Sequence, residues 1–362
     1  MSARWYPPSA LIVSDLPVWM LRAAAFVFGA LWGSFFNVAI YRWPREMSVV
    51  TPPSHCPQCK TDIPAHRNIP ILGWFLLRGK TACCGKKLSA RYMLVELVTA
   101  VLCVAVVERY IIGQSPSASL SETAVTSLLF FFFVGGQLVA TFVDLEWMEI
   151  PDEVSIGGAA LGLATVGLRQ PGPDAVEVAL GAGGAFLLVQ ILLVWSWERL
   201  TGRRGMGEGD SKFLMFIGAF LGWKGALFAL VGGAFQGMIF ALVSGIAGRR
   251  EKPPSEGEDE APEERDEAED EDDESEEDAS DRWVPPAPLE LRDGTTAKLS
   301  EGAKHLEVED DRGRLLWDYR AVDPDTNPLR RAIPFGPFLA LAALEFLFFG
   351  DRLIDLYLDL FL

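Results

Sequence analysis

Apolar residues run almost unbroken through about 18–40, 92–108, 122–143, 154–168, 178–197, 213–222, 225–247 and 332–349, and polar residues collect between these runs. A bilayer crossing needs roughly 20 apolar residues. Several runs meet that length. The run 213–222 does not, and reads as a short helix tied to the next. The pattern predicts an all-α polytopic membrane protein with about eight transmembrane helices. Glycine patches at GAGGAF (181–186) and GGAFQG (232–237) suit close helix packing. Pro334 and Pro337 fall in the first turn of the last helix, where a missing N–H costs least.

The polar stretches divide the chain further. Residues 1–44 hold the first helix, which lacks a following A-x-A pattern and reads as a retained span. Residues 45–90 form a small Cys-containing unit, and 91–247 a helical core. Residues 248–331 form a long insertion, and 332–362 the last helix and tail. Within the insertion, 299–320 alternates polar and apolar around Asp311-Arg312-Gly313. That predicts a hairpin, Lys304–Val308 pairing with Leu315–Tyr319.

Charge changes the picture in two ways. Residues 251–281 carry 19 acids and two bases, which accounts for the whole net charge of −17. Elsewhere 30 acids stand against 30 bases. The acidity therefore marks one low-complexity tract, expected to be disordered. Lys and Arg then set orientation. Nine lie in 42–91, four in 198–212 and thirteen in 249–331, while the alternate connections hold only Arg109, Arg169 and Lys224. The Cys unit, 144–153, 198–212 and the insertion are expected on the cytoplasmic side.

Candidate chemistry begins with two aspartates at membrane edges. Asp144 ends an apolar run in TFVDLEWMEIPDE, and Asp210 precedes one in GMGEGDSK. Ionisable groups beside hydrocarbon are costly and are functional candidates by default. Two crossings separate them, so both return to the same face at similar depth. Carboxylates about 3 Å apart cannot both ionise readily. One would polarise a peptide carbonyl while the other takes a proton from water. Gly207 and Gly209 leave room for a substrate strand. The plainer reading is that each Asp caps the following helix.

Six ordered blocks carry a resemblance: GSFFNVAIYRWP (33–44), SHCPQCKTDIPAHRNIPILGWFLLRGK (54–80), LSARYMLVELVTA (88–100), VDLEWMEIPDEVS (143–155), GMGEGDSKF (205–213) and IPFGPFLA (333–340). The chain resembles the prepilin peptidases, or type IV leader peptidases, bacterial inner-membrane aspartic proteases of the G-x-G-D kind. The resemblance implies that Asp144 and Asp210 are the catalytic pair. It implies removal of a short basic leader from type IV prepilins and type II secretion pseudopilins, at a site facing the cytoplasm. It also implies S-adenosylmethionine-dependent N-methylation of the new N-terminus, for which no separate donor motif is visible. The expected partners are these protein substrates and the lipid bilayer, not nucleic acid.

Cys56 and Cys59, with Cys83 and Cys84 farther on, read as a structural zinc site in a reducing compartment. Thr81 stands where the family pattern has its third Cys. Four-Cys zinc, three-Cys or mixed ligation with His55, and no metal all stay open. Glu96 either supports the site or makes a polar contact between helices. Asp152 is expected to cap the helix it opens, and Lys212 to tune Asp210. Glu149 and Glu208 flank the pair and either attract a basic leader or do nothing. Two other classes remain: a proton-coupled membrane transporter using the Asp pair, and a membrane-anchored zinc module that recruits partners.

Overall fold

The computed structural model describes residues 11–51, 53–54, 56, 59, 61–63, 69–201, 206–248, 289–290, 296–299, 305–309, 315–320 and 334–361. The acidic tract 251–281 and His55 lie outside the described residues. Contacts divide the chain into two units, Met1–Ile239 with Pro334–Leu362, and Phe240–Ile333.

The first unit is helical. The helices are α1 (Val18–Arg42), α2 (Leu72–Leu76), α3 (Ala90–Val107), α4 (Leu120–Trp147), α5 (Asp152–Ala164), α6 (Ala175–Ala179), α7 (Ala185–Leu188), α8 (Trp197–Thr201), α9 (Glu208–Gly248), whose last residues fall in the second unit, and α10 (Gly336–Phe361). Wider π turns join α6, α7 and α8 into one rod. Among the described residues five helices are long and apolar enough to cross a membrane: Val18–Arg45, Ala90–Ile112, Leu120–Trp147, Ala175–Leu200 and Glu208–Ser244. Gly336–Gly350 is a shorter apolar helix. At 1.5 Å per residue, α5 reaches only about 20 Å, short of a hydrocarbon core of about 30 Å.

Helix α9 has the opposite problem, since an unbroken 41-residue helix would exceed the hydrocarbon core. It breaks at Gly222, whose φ of 70° and ψ of −175° are non-helical. The break falls between the two apolar runs read from the sequence. Arg169 secures it. That side chain is 1% exposed. Its Nη1 donates to Phe220 O at 2.9 Å, and its Nη2 to Gly162 O at 2.7 Å and Ala219 O at 2.9 Å. One guanidinium thus satisfies carbonyls at the end of α5 and at the break in α9, which have no intrahelical partner.

Helix α4 is central because four consecutive phenylalanines project around it. Phe131 and Phe132 meet α1, with Trp32 and Phe132 edge to face at 4.9 Å. Phe130 and Phe133 turn to α9, with Phe133 and Phe220 stacked at 4.9 Å. Helices α1 and α3 close on one another at Gly29 and Gly33. A Cβ on either would stand 2.7 Å from the Cα of Ala100 or Glu96 respectively. Close small-residue packing of this kind drives helix association in lipid.

Within Phe240–Ile333 four strands form an antiparallel sheet in the order β1 (Leu289–Glu290), β2 (Thr296–Leu299), β3 (His305–Glu309), β4 (Leu315–Arg320). Strand β3 pairs with β4 through His305↔Arg320 and Leu306↔Tyr319, with a register shift at Val308/Glu309. The fold is therefore mostly helical rather than all-α. Strands β1 and β2 were not anticipated, because two and four residues are too few to display alternation.

Candidate active site

Asp144 lies in the last turn of α4. Met148 ends that helix in the left-handed conformation, its N–H donating to Asp144 O at 2.9 Å. A carboxylate at a helix C-terminus opposes the helix dipole, and this one is only 5% exposed. Its position is held by a distant segment. Gly336 N, at the start of α10, donates to Asp144 Oδ2 at 2.8 Å. A Cβ at Gly336 would stand 2.7 Å from that oxygen and 3.2 Å from Ile150 Cδ1. Only glycine fits.

Asp210 sits in the first turn of α9 and is half-buried. Gly207 N donates to its Oδ2 at 3.2 Å. Asp144 and Asp210 lie within electrostatic reach of one another. Ile150 joins the two halves of the site: it touches Gly336, and a Cβ at Gly209 would meet Ile150 Cβ at 3.6 Å. The end of α4, the loop to α5, and the starts of α9 and α10 thus converge. Two carboxylates sharing such a space, each with a backbone N–H donor, can divide the roles of proton acceptor and donor.

Other expected participants stand elsewhere. Lys212 Nζ binds both oxygens of Asp152 at 2.8 and 3.1 Å, so its charge is directed there rather than to Asp210. Asp152 is the first residue of α5 and makes no side-chain cap; Pro151 occupies the N-cap. The capping reading of Asp152 is therefore corrected, because Lys212 takes its carboxylate. Gly207 supplies a donor, and Gly209 faces Ile150. Glu149 and Glu208 are exposed. Ser211, unremarked in the sequence, donates to Gln190 Oε1 at 2.7 Å and anchors the start of α9. Gly336 also went unassigned, although its place between Pro334 and Pro337 marks a constrained helix start.

Glu96 belongs to a different place. Its Oε2 accepts from Ile71 N at 2.7 Å. It lines a cavity of about 340 Å³ bounded by α1, α3 and the Cys unit.

The four cysteines gather beside that cavity, their sulfurs all within 4.8 Å of one another. Two similar turns present them. Cys56 N donates to Thr61 O at 2.8 Å, and Thr81 N donates to Lys86 O at 2.8 Å. Thr81 thus occupies in the second turn the place of Cys56 in the first, and Cys84 the place of Cys59. Cys83 supplies the fourth sulfur. Gly85, at φ 69°, permits the tight return that lets adjacent cysteines face one centre. Around a tetrahedral zinc, sulfurs at about 2.3 Å would stand about 3.8 Å apart. Cys56 and Cys84 are 4.0 Å apart, and Cys59 and Cys83 3.2 Å. Hydrogen bonding with Thr61 draws the Cys59 thiol down to about 6, and the contact with Cys59 pushes Cys83 up to about 12. The donor set fits a metal ion.

A family model described as "Bacterial Peptidase A24 N-terminal domain" matches residues 27–110, and "Type IV leader peptidase family" matches 131–242. A "Prepilin leader peptidase/N-methyltransferase" of Myxococcus xanthus (strain DK1622) is 31% identical over 334 residues, covering 91% of this chain and 90% of its own length. Relatives of the same description from Aeromonas hydrophila and Aeromonas salmonicida (strain A449) are 35% and 33% identical over 257 and 253 residues, with 62% of this chain covered and 83% and 81% of theirs. The chain belongs to the type IV leader peptidase family. Both aspartates fall in the leader peptidase match, and the Cys cluster and cavity in the N-terminal match. No solved structure matches the chain.

Proposed function

We infer that this leader peptidase is a membrane aspartic endopeptidase that removes the basic leader of type IV prepilins and pseudopilins and N-methylates the exposed N-terminus. The observation that carries the peptidase reading is the meeting of Asp144 and Asp210 at adjoining helix ends, each with one backbone donor. One carboxylate takes a proton from the attacking water. The other gives a proton to the scissile carbonyl, and the tetrahedral intermediate collapses when the leaving amine is protonated. Sites at helix ends suit a scissile bond just outside the substrate's apolar helix. A transporter reading would favour groups at the bilayer midplane.

The further assignments follow from the loop charges. The chain crosses the bacterial inner membrane eight times, with α5, the two parts of α9 and α10 supplying the short passes. The Cys unit, the aspartates and 248–331 face the cytoplasm, where Lys and Arg concentrate. Cys56, Cys59, Cys83 and Cys84 hold a structural zinc, which a unit this small needs to keep its fold. S-adenosylmethionine, when bound, supplies the methyl group. The tract 251–281 is a tethered regulatory or docking insertion.

Replacing Asp144→Asn or Asp210→Asn should each lower leader cleavage in membranes by at least about 100-fold, with the melting profile preserved. Normal cleavage by either variant would sink the paired-carboxylate reading. The same assay reads methylation from the mass of the new N-terminus.

A further inference from the structure

Glu345 takes no part in the aspartate site or in the Cys cluster. It is the one charged residue of Gly336–Gly350. It stands nine residues past Gly336, about 14 Å along α10 at 1.5 Å per residue. Where α10 crosses the bilayer, that depth is well inside the hydrocarbon. An acid there is costly and marks a functional position.

Its surroundings satisfy it only in part. Gln236 Nε2, on the second part of α9, donates to Glu345 Oε2 at 2.8 Å. Gln236 Oε1 is buried and has no partner among the described residues. Glu345 makes no ion pair among those residues. Glycines hold the two helices in place. A Cβ on Gly233 would stand 3.1 Å from Leu339 N, and one on Gly232 would stand 3.2 Å from Ala342 Cβ.

The side of α10 that carries Glu345 is open. Leu341 and Phe349, one turn to either side, are 50% and 53% exposed, whereas Leu339, Ala342, Ala343 and Leu347 are buried. On α9, Phe235 and Ile239 flank Gln236 and are exposed as well. A half-buried acid thus stands in the middle of an apolar stripe. Lipid tails can offer it no hydrogen bond; a protein helix carrying a donor can. The aspartate site begins on the same element, since the Gly336 N–H holds Asp144. A substrate cut there, just outside its apolar helix, enters the bilayer at the level where α10 enters it.

We propose that Leu341, Glu345 and Phe349, with Gln236, form the docking surface for the substrate's apolar helix, and that Gln236 and Glu345 hydrogen-bond a donor group in its first turns. At a depth of about 14 Å that group lies within about three turns of the scissile bond. The assignment rests on the peptidase reading.

The test uses the full-length chain in proteoliposomes with a full-length type IV prepilin. A photoreactive phenylalanine analogue in place of Leu341 or Phe349 should cross-link to the prepilin's apolar helix. The same analogue in place of the exposed Leu192, on the rod of α6, α7 and α8, should not. Glu345→Leu should raise KM about 10-fold with kcat close to wild type, and Glu345→Gln, which keeps an acceptor, should recover most of that loss. Adducts only with lipid or with a second copy of this chain, equal labelling from Leu192, an unchanged KM in Glu345→Leu, or a loss confined to kcat would overturn the proposal. Cross-linking is read without cleavage, so normal cleavage by Asp144→Asn would defeat the paired-carboxylate reading while the adduct still reports docking.

Discussion

Asp144 is the residue that local chemistry least explains. Its helix gains nothing from an acid in the last turn, and burial raises the cost. What holds it is a single N–H from Gly336, 192 positions away in the chain. Gly336→Ala places a methyl group against that carboxylate. Leader cleavage should fall about 100-fold, since displacements near 1 Å cost that much, while thermal stability stays close to wild type. An unchanged rate would mean that the Gly336 contact does not set the geometry. Gln137 is a contrasting case on the same helix: fully buried, with neither amide atom paired among the described residues. Gln137→Leu should therefore raise stability by about 1 kcal/mol, read from detergent melts. A loss of activity with unchanged stability would instead give the amide a role.

At the scale of elements, the apolar runs located the helices well, because burial in lipid demands long apolar segments whatever their neighbours. The break at Gly222 was legible for the same reason, as a gap between two runs. Its brace was not. Arg169 looked like one of the few bases on a nearly bare side. In the fold it is a buried clamp on α5 and on the end of the first part of α9, just before its break. Arg169→Met should cost about 3 kcal/mol through the orphaned carbonyls, seen as a lower melting temperature. An unchanged melting temperature would mean that the clamp carries little weight. The Gly29 and Gly33 contact with α3 was equally hidden, since spacing alone cannot say which helix a small-residue face will meet. That contact brings Asn37 and Glu96 to the lining of one cavity.

Across the whole molecule, the aspartate site and the Cys cluster are built from separate parts of the chain. The aspartates depend on α4, α9 and α10; the sulfur cluster depends on two turns in 56–61 and 81–86. Cys56→Ser should release bound metal, measured by elemental analysis, and lower methylation more than leader cleavage. Complete and equal loss of both activities in a folded variant would make the metal part of the peptidase. Deleting 251–281 should leave cleavage of a model prepilin within about twofold of wild type, because surface changes away from a site rarely exceed ~0.5 kcal/mol. A severe loss would make the insertion part of the site.

The sequence by itself determined the succession of apolar helices and singled out the two aspartates and the four sulfurs as candidates. Each follows from local composition: apolar length, a charge beside hydrocarbon, and ligand type. Tertiary structure decided which groups meet. It gave Lys212 to Asp152, Gly336 to Asp144 and Glu96 to the cavity, and it aligned Cys83 with Cys84 on one centre. Such pairings depend on where helix ends and turns arrive after packing, and no spacing along the chain encodes that.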